Sequence, residues 1–263
     1  MLPPRTAPPP TPALQARGLC VDRGPRRVLD HVDLEVDAGV VTALIGPNGS
    51  GKTTLLKALA GVLPFSGQVL VKGRALDALD RRARARHVAY VPQQSALDAP
   101  LPVFDVVAQG RLAHRAALSG LSRADLAAID DALVATDVKT LAPRAFTSLS
   151  HGEKHRVLIA RGLATEAPVL LLDEPTAGLD LAHVLELLDL FTRLAAEGRS
   201  LLVVLHPLAE VKAVAARVAV LHEGKRLAYG PVPEVLTPAL VREVYRVDVV
   251  PGGAWGFAPL ASD

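Results

Sequence analysis

Gly46-Pro47-Asn48-Gly49-Ser50-Gly51-Lys52-Thr53 follows the apolar run 40–45 and precedes a helical pattern over 54–63. A strand before and a helix after are what turn a glycine-rich turn into a phosphate cradle. Gly46, Gly49 and Gly51 let the backbone curl, so that successive N–H groups and the helix N-terminus converge on an anion. Asn48, Ser50 and Thr54 complete the expected nucleotide-binding stretch. Lys52 is placed to reach the β- and γ-phosphates, and the Thr53 hydroxyl to ligate Mg²⁺. The expected ligands are ATP and Mg²⁺.

A second apolar run, Val169-Leu170-Leu171-Leu172, ends in Asp173-Glu174. A strand of that kind delivers both carboxylates to the edge of a sheet, where the glycine-rich turn also lies. Asp173 is expected to hold Mg²⁺ through water, and Glu174 to orient and polarise an attacking water. Acidic strand ends are common on solvated surfaces; the pairing with the glycine-rich turn gives this one its chemical reading.

Outward from these motifs, short apolar runs at 40–45, 88–91, 169–173 and 201–205 alternate with helical patterns, which is the mark of an α/β fold. Val32, Leu34 and Val36 alternate with polar residues, and 68–72 looks alike, so a small antiparallel β layer should lie beside the main sheet. From about 94 to 163 the chain turns Ala-, Arg- and Leu-rich, and Ser122 with Asp125 makes a capping box ahead of Leu126, Ile129 and Leu133. This stretch is expected to be an inserted helical sub-domain. Thr237-Pro238 should open another helix. The expected division is a Pro-rich disordered tail over 1–13, one unit over 14–250 and a C-terminal tail over 251–263. Within that unit the core is 14–93 and 164–250, around the sub-domain 94–163.

Half the residues are hydrophobic but only 3% aromatic, so the core must be aliphatic. A net charge of +2 is too balanced for a nucleic-acid-binding face. The single cysteine, Cys20, excludes an intramolecular disulfide and reads as a small buried hydrophobe. No apolar run approaches the roughly 20 residues that span a bilayer.

Leu149-Ser150-His151-Gly152-Glu153 stands shortly before Asp173 and resembles the LSGGQ signature of ABC ATPases. The likeness continues through Arg156, Ala160-Arg161, Asp173-Glu174-Pro175-Thr176 and Gly178-Leu179-Asp180. In this order the motifs are highly specific, and they cover about 14–250. Ser150 and Glu153 also make a capping box, and a capped helix N-terminus suits a γ-phosphate. The resemblance implies a P-loop core of the ABC type and a head-to-tail homodimer, with two ATPs held between the P-loop of one copy and Ser150 and Gly152 of the other. It places Gln93 as the glutamine that senses Mg²⁺ and the water, His206 as the switch histidine on the γ-phosphate, and Arg23 where an adenine-stacking aromatic is usual. It further implies transmembrane permease subunits, a substrate-binding protein acting indirectly, and a peripheral position on the cytoplasmic face of the inner membrane. Helices around 93–106 would pass movement to the permease.

The chain departs from the pattern at several positions. His151 and Glu153 replace glycine and glutamine, while Gly152, the position most in need of a small residue, is kept. Arg23 can stack a planar guanidinium on a base or stand as a solvated charge. Pro207 replaces an acid and biases His206 to extended geometry.

Residues 103–111, Pro233 to Pro238 and 241–247 resemble the ATPases of importers for iron-siderophore, haem and cobalamin complexes; zinc or manganese importers are the alternative. A soluble ABC ATPase of the DNA-repair or translation kind would bring long coiled-coil inserts or a second cassette. A P-loop kinase or GTPase would leave 149–153 and His206 unexplained. A module that closes on ATP without hydrolysing it fits His151 and Pro207 but not the intact Lys52, Asp173 and Glu174.

Overall fold

The computed structural model describes residues 12–93, 97, 99–116, 119–250 and 256–259. The fold opens on an antiparallel pair, β1 (Leu14–Arg23) and β2 (Arg26–Val36). Val32, Leu34 and Val36 are buried while their neighbours face outward or lie half-covered, the alternation of a strand with one wet face. The described residues begin before the expected boundary at 14. Ala13 is buried, and its amide bonds the Val36 carbonyl at 2.8 Å. Residues 1–11 of the expected tail lie outside the described residues.

β3 (Val41–Ile45) enters the main sheet, and the glycine-rich loop leads to α1 (Lys52–Leu59). The helix ends short of the pattern at 63. Gly61 takes φ 68, and the amides of Gly61 and Val62 bond the carbonyls of Ala58 and Lys57 at 2.9 and 2.8 Å. This closing motif satisfies the last carbonyls and needs a left-handed glycine. β4 (Ser66–Val71) and β5 (Arg74–Ala75) then complete a four-stranded sheet ordered β2-β1-β4-β5.

α2 (Arg81–His87) leads into β6 (Val88–Val91). The next stretch contains α3 (Val103–Ala108), α4 (Arg123–Ala135) and α5 (His151–Leu163). Its described residues add only short 3₁₀ turns and one isolated bridge, Pro102–Ala145. Of the expected coupling segment 93–106, residues 94–96 and 98 lie outside the described residues. Both expected capping boxes are present, with Ser122 and Ser150 accepting from the amides of Asp125 and Glu153. Arg111 ties this helical layer together from a buried position. Its Nε donates to Asp125 at 2.8 Å, and its Nη1 to the Ala164 carbonyl at 2.8 Å and to Glu166 at 2.7 Å.

β7 (Val169–Leu172), α6 (Leu181–Ala196), β8 (Ser200–Val204), α7 (Leu208–Val214) and β9 (Arg217–His222) follow. With β10 (Lys225–Pro231) they complete a six-stranded sheet ordered β10-β9-β3-β8-β7-β6, in which only β10 pairs antiparallel. Both faces are covered, so its strands read as continuous apolar runs. Val41, Ala43, Ile45, Leu170, Leu172, Leu201 and Val203 feed one core, shared with α3, α5 and α6. Leu44, Leu171, Leu202, Val204 and Leu221 feed a second, shared with the β1–β2 layer and α1. α5 lies directly on β6: a Cβ on Gly162 would stand 2.6 Å from Val91 Cγ2.

The chain closes with α8 (Val232–Val235) and α9 (Pro238–Tyr245), the latter capped by Thr237 as expected. A last pair follows, β11 (Val247–Val250) and β12 (Gly256–Pro259), antiparallel from Val247↔Pro259 to Val250↔Gly256. The second of these strands lies inside the stretch expected to be a C-terminal tail. Four residues are too few to announce a strand by alternation, so pairing with the β-branched run before it defines it instead.

Candidate active site

The C-terminal ends of β3, β6, β7 and β8 lie along one edge of the sheet, the edge where parallel α/β sheets build their sites. After β3 the loop 46–51 curls through Gly46 (φ 147), Gly49 (φ 79) and Gly51 (φ 106). A side chain on Gly46 would run into the Leu221 carbonyl, and one on Gly51 would stand 2.7 Å from Leu29 Cδ2. Lys52 folds back over this loop and donates to the carbonyls of Gly46 and Pro47 at 2.8 and 3.0 Å. Burial lowers its pKa, against the opposing pull of Glu174 and Asp173.

Asp173, at the end of β7, is 3% exposed. Thr53 Oγ1 donates to its Oδ1 at 3.1 Å, and the Tyr90 hydroxyl to its Oδ2 at 3.1 Å. Burial raises its pKa even so. The Tyr90 phenol is itself pushed up, by burial and then by Asp173, and stays a donor.

Glu174 is held in the left-handed region at φ 50, uncommon for a residue with a side chain. Gln93, two residues beyond β6, donates from Nε2 to its Oε2 at 2.8 Å. His206, two residues beyond β8, brings its Nε2 to 2.6 Å from Oε1. Three strand ends thus meet on one carboxylate. An open cavity of about 460 Å³ runs from Glu174, Thr53, Thr54 and Lys52 past Asn48, Gly49 and Gly51 to Arg23, Arg26 and Val28. The phosphate end is rigid backbone, and the far end is two guanidiniums beside an aliphatic side chain.

Ser150 and Gly152 are not among the residues that line this cavity. They open α5, next to the 178–179 turn: a Cβ on Gly178 would lie 3.2 Å from the His151 ring, and one on Gly152 3.1 Å from Leu179 Cδ2. His151 also stands edge-on to His155, with ring centroids 5.9 Å apart. His155 is 2% exposed with no partner at either ring nitrogen, and burial, then His151, lowers its pKa to about 4. Cys20 is buried as expected, and its sulfur accepts the His31 amide at 3.2 Å.

Tyr90, Arg26 and Val28 are the residues that sequence reasoning did not single out. Tyr90 carried one signal, a phenol in an otherwise aliphatic buried strand.

A phosphate cradle, a buried aspartate against its threonine and a glutamate gripped by Gln93 and His206 define a nucleoside-triphosphatase domain on an α/β scaffold. A family model described as "ABC transporter" matches residues 29–177. The hemin import ATP-binding protein HmuV of Streptomyces coelicolor is 46% identical, over 93% of this chain and 89% of its own length. The cobalamin import ATP-binding protein BtuD of Halobacterium salinarum is 38% identical, over 91% of this chain and 60% of its own length. Among solved structures, a chain of an inward-facing ABC transporter assigned to the metal-chelate type superposes with TM-score 0.81 at 27% identity. That match covers 95% of this chain and 98% of the other. The chain belongs to the ABC transporter family, as an ATP-binding, ATP-hydrolysing subunit.

Proposed function

We propose that this subunit, working as a head-to-tail homodimer, couples Mg²⁺-dependent ATP hydrolysis to the import of a metal chelate of the haem or cobalamin type. The observation that carries the reading is Glu174, gripped by Gln93 and His206 within the cavity that ends at Lys52 and Thr53. Gly46 to Thr54 receive the phosphates, with Lys52 leaving the loop carbonyls for the β- and γ-oxygens. The Thr53 hydroxyl and the Asp173 carboxylate are hard oxygen donors 3.1 Å apart, a pair that fits Mg²⁺, and Gln93, bonded through its Nε2 to Glu174, is the third residue assigned to the cation. When bound, the cation neutralises charge on the phosphates. Glu174 orients the water and accepts its proton, and His206 moves from Glu174 to the γ-phosphate. Arg23 lays its guanidinium against the adenine.

Ser150 and Gly152 lie away from this chain's own cavity, at a capped helix N-terminus. That placement suits the γ-phosphate held by a second copy. We assign the core to 14–93 and 164–250, the helical sub-domain to 94–163, and the coupling to the permease to the helices around 93–106. Among the described residues no helix is long and apolar enough to cross a membrane. Relatives named as import ATP-binding proteins support reading the subunit as a peripheral partner of transmembrane permease subunits on the cytoplasmic side, served indirectly by a substrate-binding protein. The chelate class rests on relatives named for hemin and cobalamin import.

The test is Mg²⁺-ATPase activity of the purified chain beside Glu174→Gln, with sizing of both in ATP. Glu174→Gln should lose about 100-fold or more in rate and accumulate as an ATP-dependent dimer. A variant that hydrolyses at the wild-type rate removes Glu174 from the chemistry. For the chelate, ATPase activity of the permease complex should rise with a hemin-loaded or cobalamin-loaded binding protein and not with a zinc-loaded one.

A further inference from the structure

We propose that Tyr90 is a positioning residue for the metal-holding carboxylate: its hydroxyl fixes Asp173 so that the other carboxylate oxygen faces Thr53. This rests on the assignment of Asp173 to Mg²⁺. Asp173 presents two oxygens, and the two side-chain donors to them among the described residues are Thr53 on Oδ1 and Tyr90 on Oδ2. Thr53 is also an expected ligand of the cation. An oxygen that lends a lone pair to the metal keeps its O–H for Asp173 Oδ1, so Thr53 ties that oxygen to the metal side. Tyr90 is then the side chain that holds the other oxygen of a 3%-exposed carboxylate in place.

Tyr90 is well built for that. It lies on β6 opposite Leu171 of β7, and the Asp173 amide bonds the Val91 carbonyl at 3.0 Å, so donor and acceptor sit on strands fixed to each other. Its ring is partly buried against the core that α1 shares with the β1–β2 layer, and its hydroxyl reaches Asp173 Oδ2. A phenol also donates without carrying a charge. A lysine at this point would neutralise the carboxylate and compete with the cation, whereas Tyr90 orients Asp173 and leaves its charge for the metal.

The test is binding of a fluorescent ATP analogue to wild type, Tyr90→Phe and Asp173→Asn, each in EDTA and across a Mg²⁺ series, with a thermal melt of each. Tyr90→Phe should raise the half-saturating Mg²⁺ concentration about 10-fold or more, the scale of one lost hydrogen bond to a charged group. Its nucleotide affinity in EDTA should match wild type, and its melting point should fall by no more than the few degrees that one lost hydrogen bond costs. If Tyr90→Phe overlays wild type across the Mg²⁺ series while Asp173→Asn is shifted, the hydroxyl has no positioning role and the proposal falls. It falls equally if Tyr90→Phe weakens binding by the same factor in EDTA, which marks a general structural role. If Asp173→Asn also overlays wild type, the assignment of Asp173 to the cation is what fails.

Discussion

His155→Leu should change how the fold responds to acid. In the folded chain the ring is neutral, edge-on to His151 and sealed from water, with its pKa at about 4 against 6.5 for the free side chain. The unfolded chain takes up a proton as pH falls through 6.5, and the folded chain cannot follow until about 4. A depressed folded pKa means that the full stability is present above 6.5 and drains away as pH falls toward 4. Between pH 7.5 and 5 this one group should cost about 2 kcal/mol, and below 4 the loss should level off at about 3 kcal/mol. For a chain of this size, 2 kcal/mol corresponds to roughly 4–8 °C in melting temperature. Leucine also removes two buried ring nitrogens that have no partner, each worth about 1–3 kcal/mol of desolvation. The variant should therefore be at least as stable as wild type at pH 7.5, and the gap should widen as pH falls. The assay is a thermal melt of both proteins from pH 7.5 to 5, in which titrating groups remote from His155 cancel in the difference. Parallel curves would refute the reasoning, because a ring that is exposed or already paired gives no differential acid arm.

Arg111→Met leaves the Asp125 carboxylate buried without the guanidinium that now holds its pKa well below the usual range. It should cost about 3–5 kcal/mol in urea unfolding, and Arg111→Met/Asp125→Leu should recover most of that. A single-variant cost under 1 kcal/mol would show that the bridge is solvated. Arg23→Ala should weaken nucleotide binding about 3- to 10-fold, in EDTA as in Mg²⁺, the scale of a guanidinium on an aromatic face. An unchanged affinity would return Arg23 to the role of a surface charge.

The local parts of the site were legible in the sequence because each is a short-range device. Gly46 to Thr53 carry their conformation in their own glycines, Ser150 and Glu153 cap a helix across three residues, and the strand ends at 91, 172 and 204 are marked by apolar runs. What spacing could not show is convergence. Gln93 and Glu174 are 81 residues apart and Tyr90 and Asp173 83 apart. They meet only because β6 and β7 are neighbours in the sheet. Gln93 and His206 could be placed beforehand through the resemblance to a family, while Tyr90, which that pattern did not point to, stayed invisible. The end of α1 went astray because Val62 and Leu63 extend the apolar pattern past Gly61, whose left-handed turn outweighs it. The β11–β12 pair needed a partner strand to exist at all.

The contact of Gly162 with Val91 has a mechanical consequence. At 13 residues and 1.5 Å per residue, α5 is a rod about 20 Å long. One end carries Ser150 and His151 beside the 178–179 turn, and near the other Gly162 lies against the Val91 side chain, on the strand that leads to Gln93. A side chain at 162 would push the helix off β6, so the spacing between the rod and the strand beside Glu174 is set by the smallest residue in it.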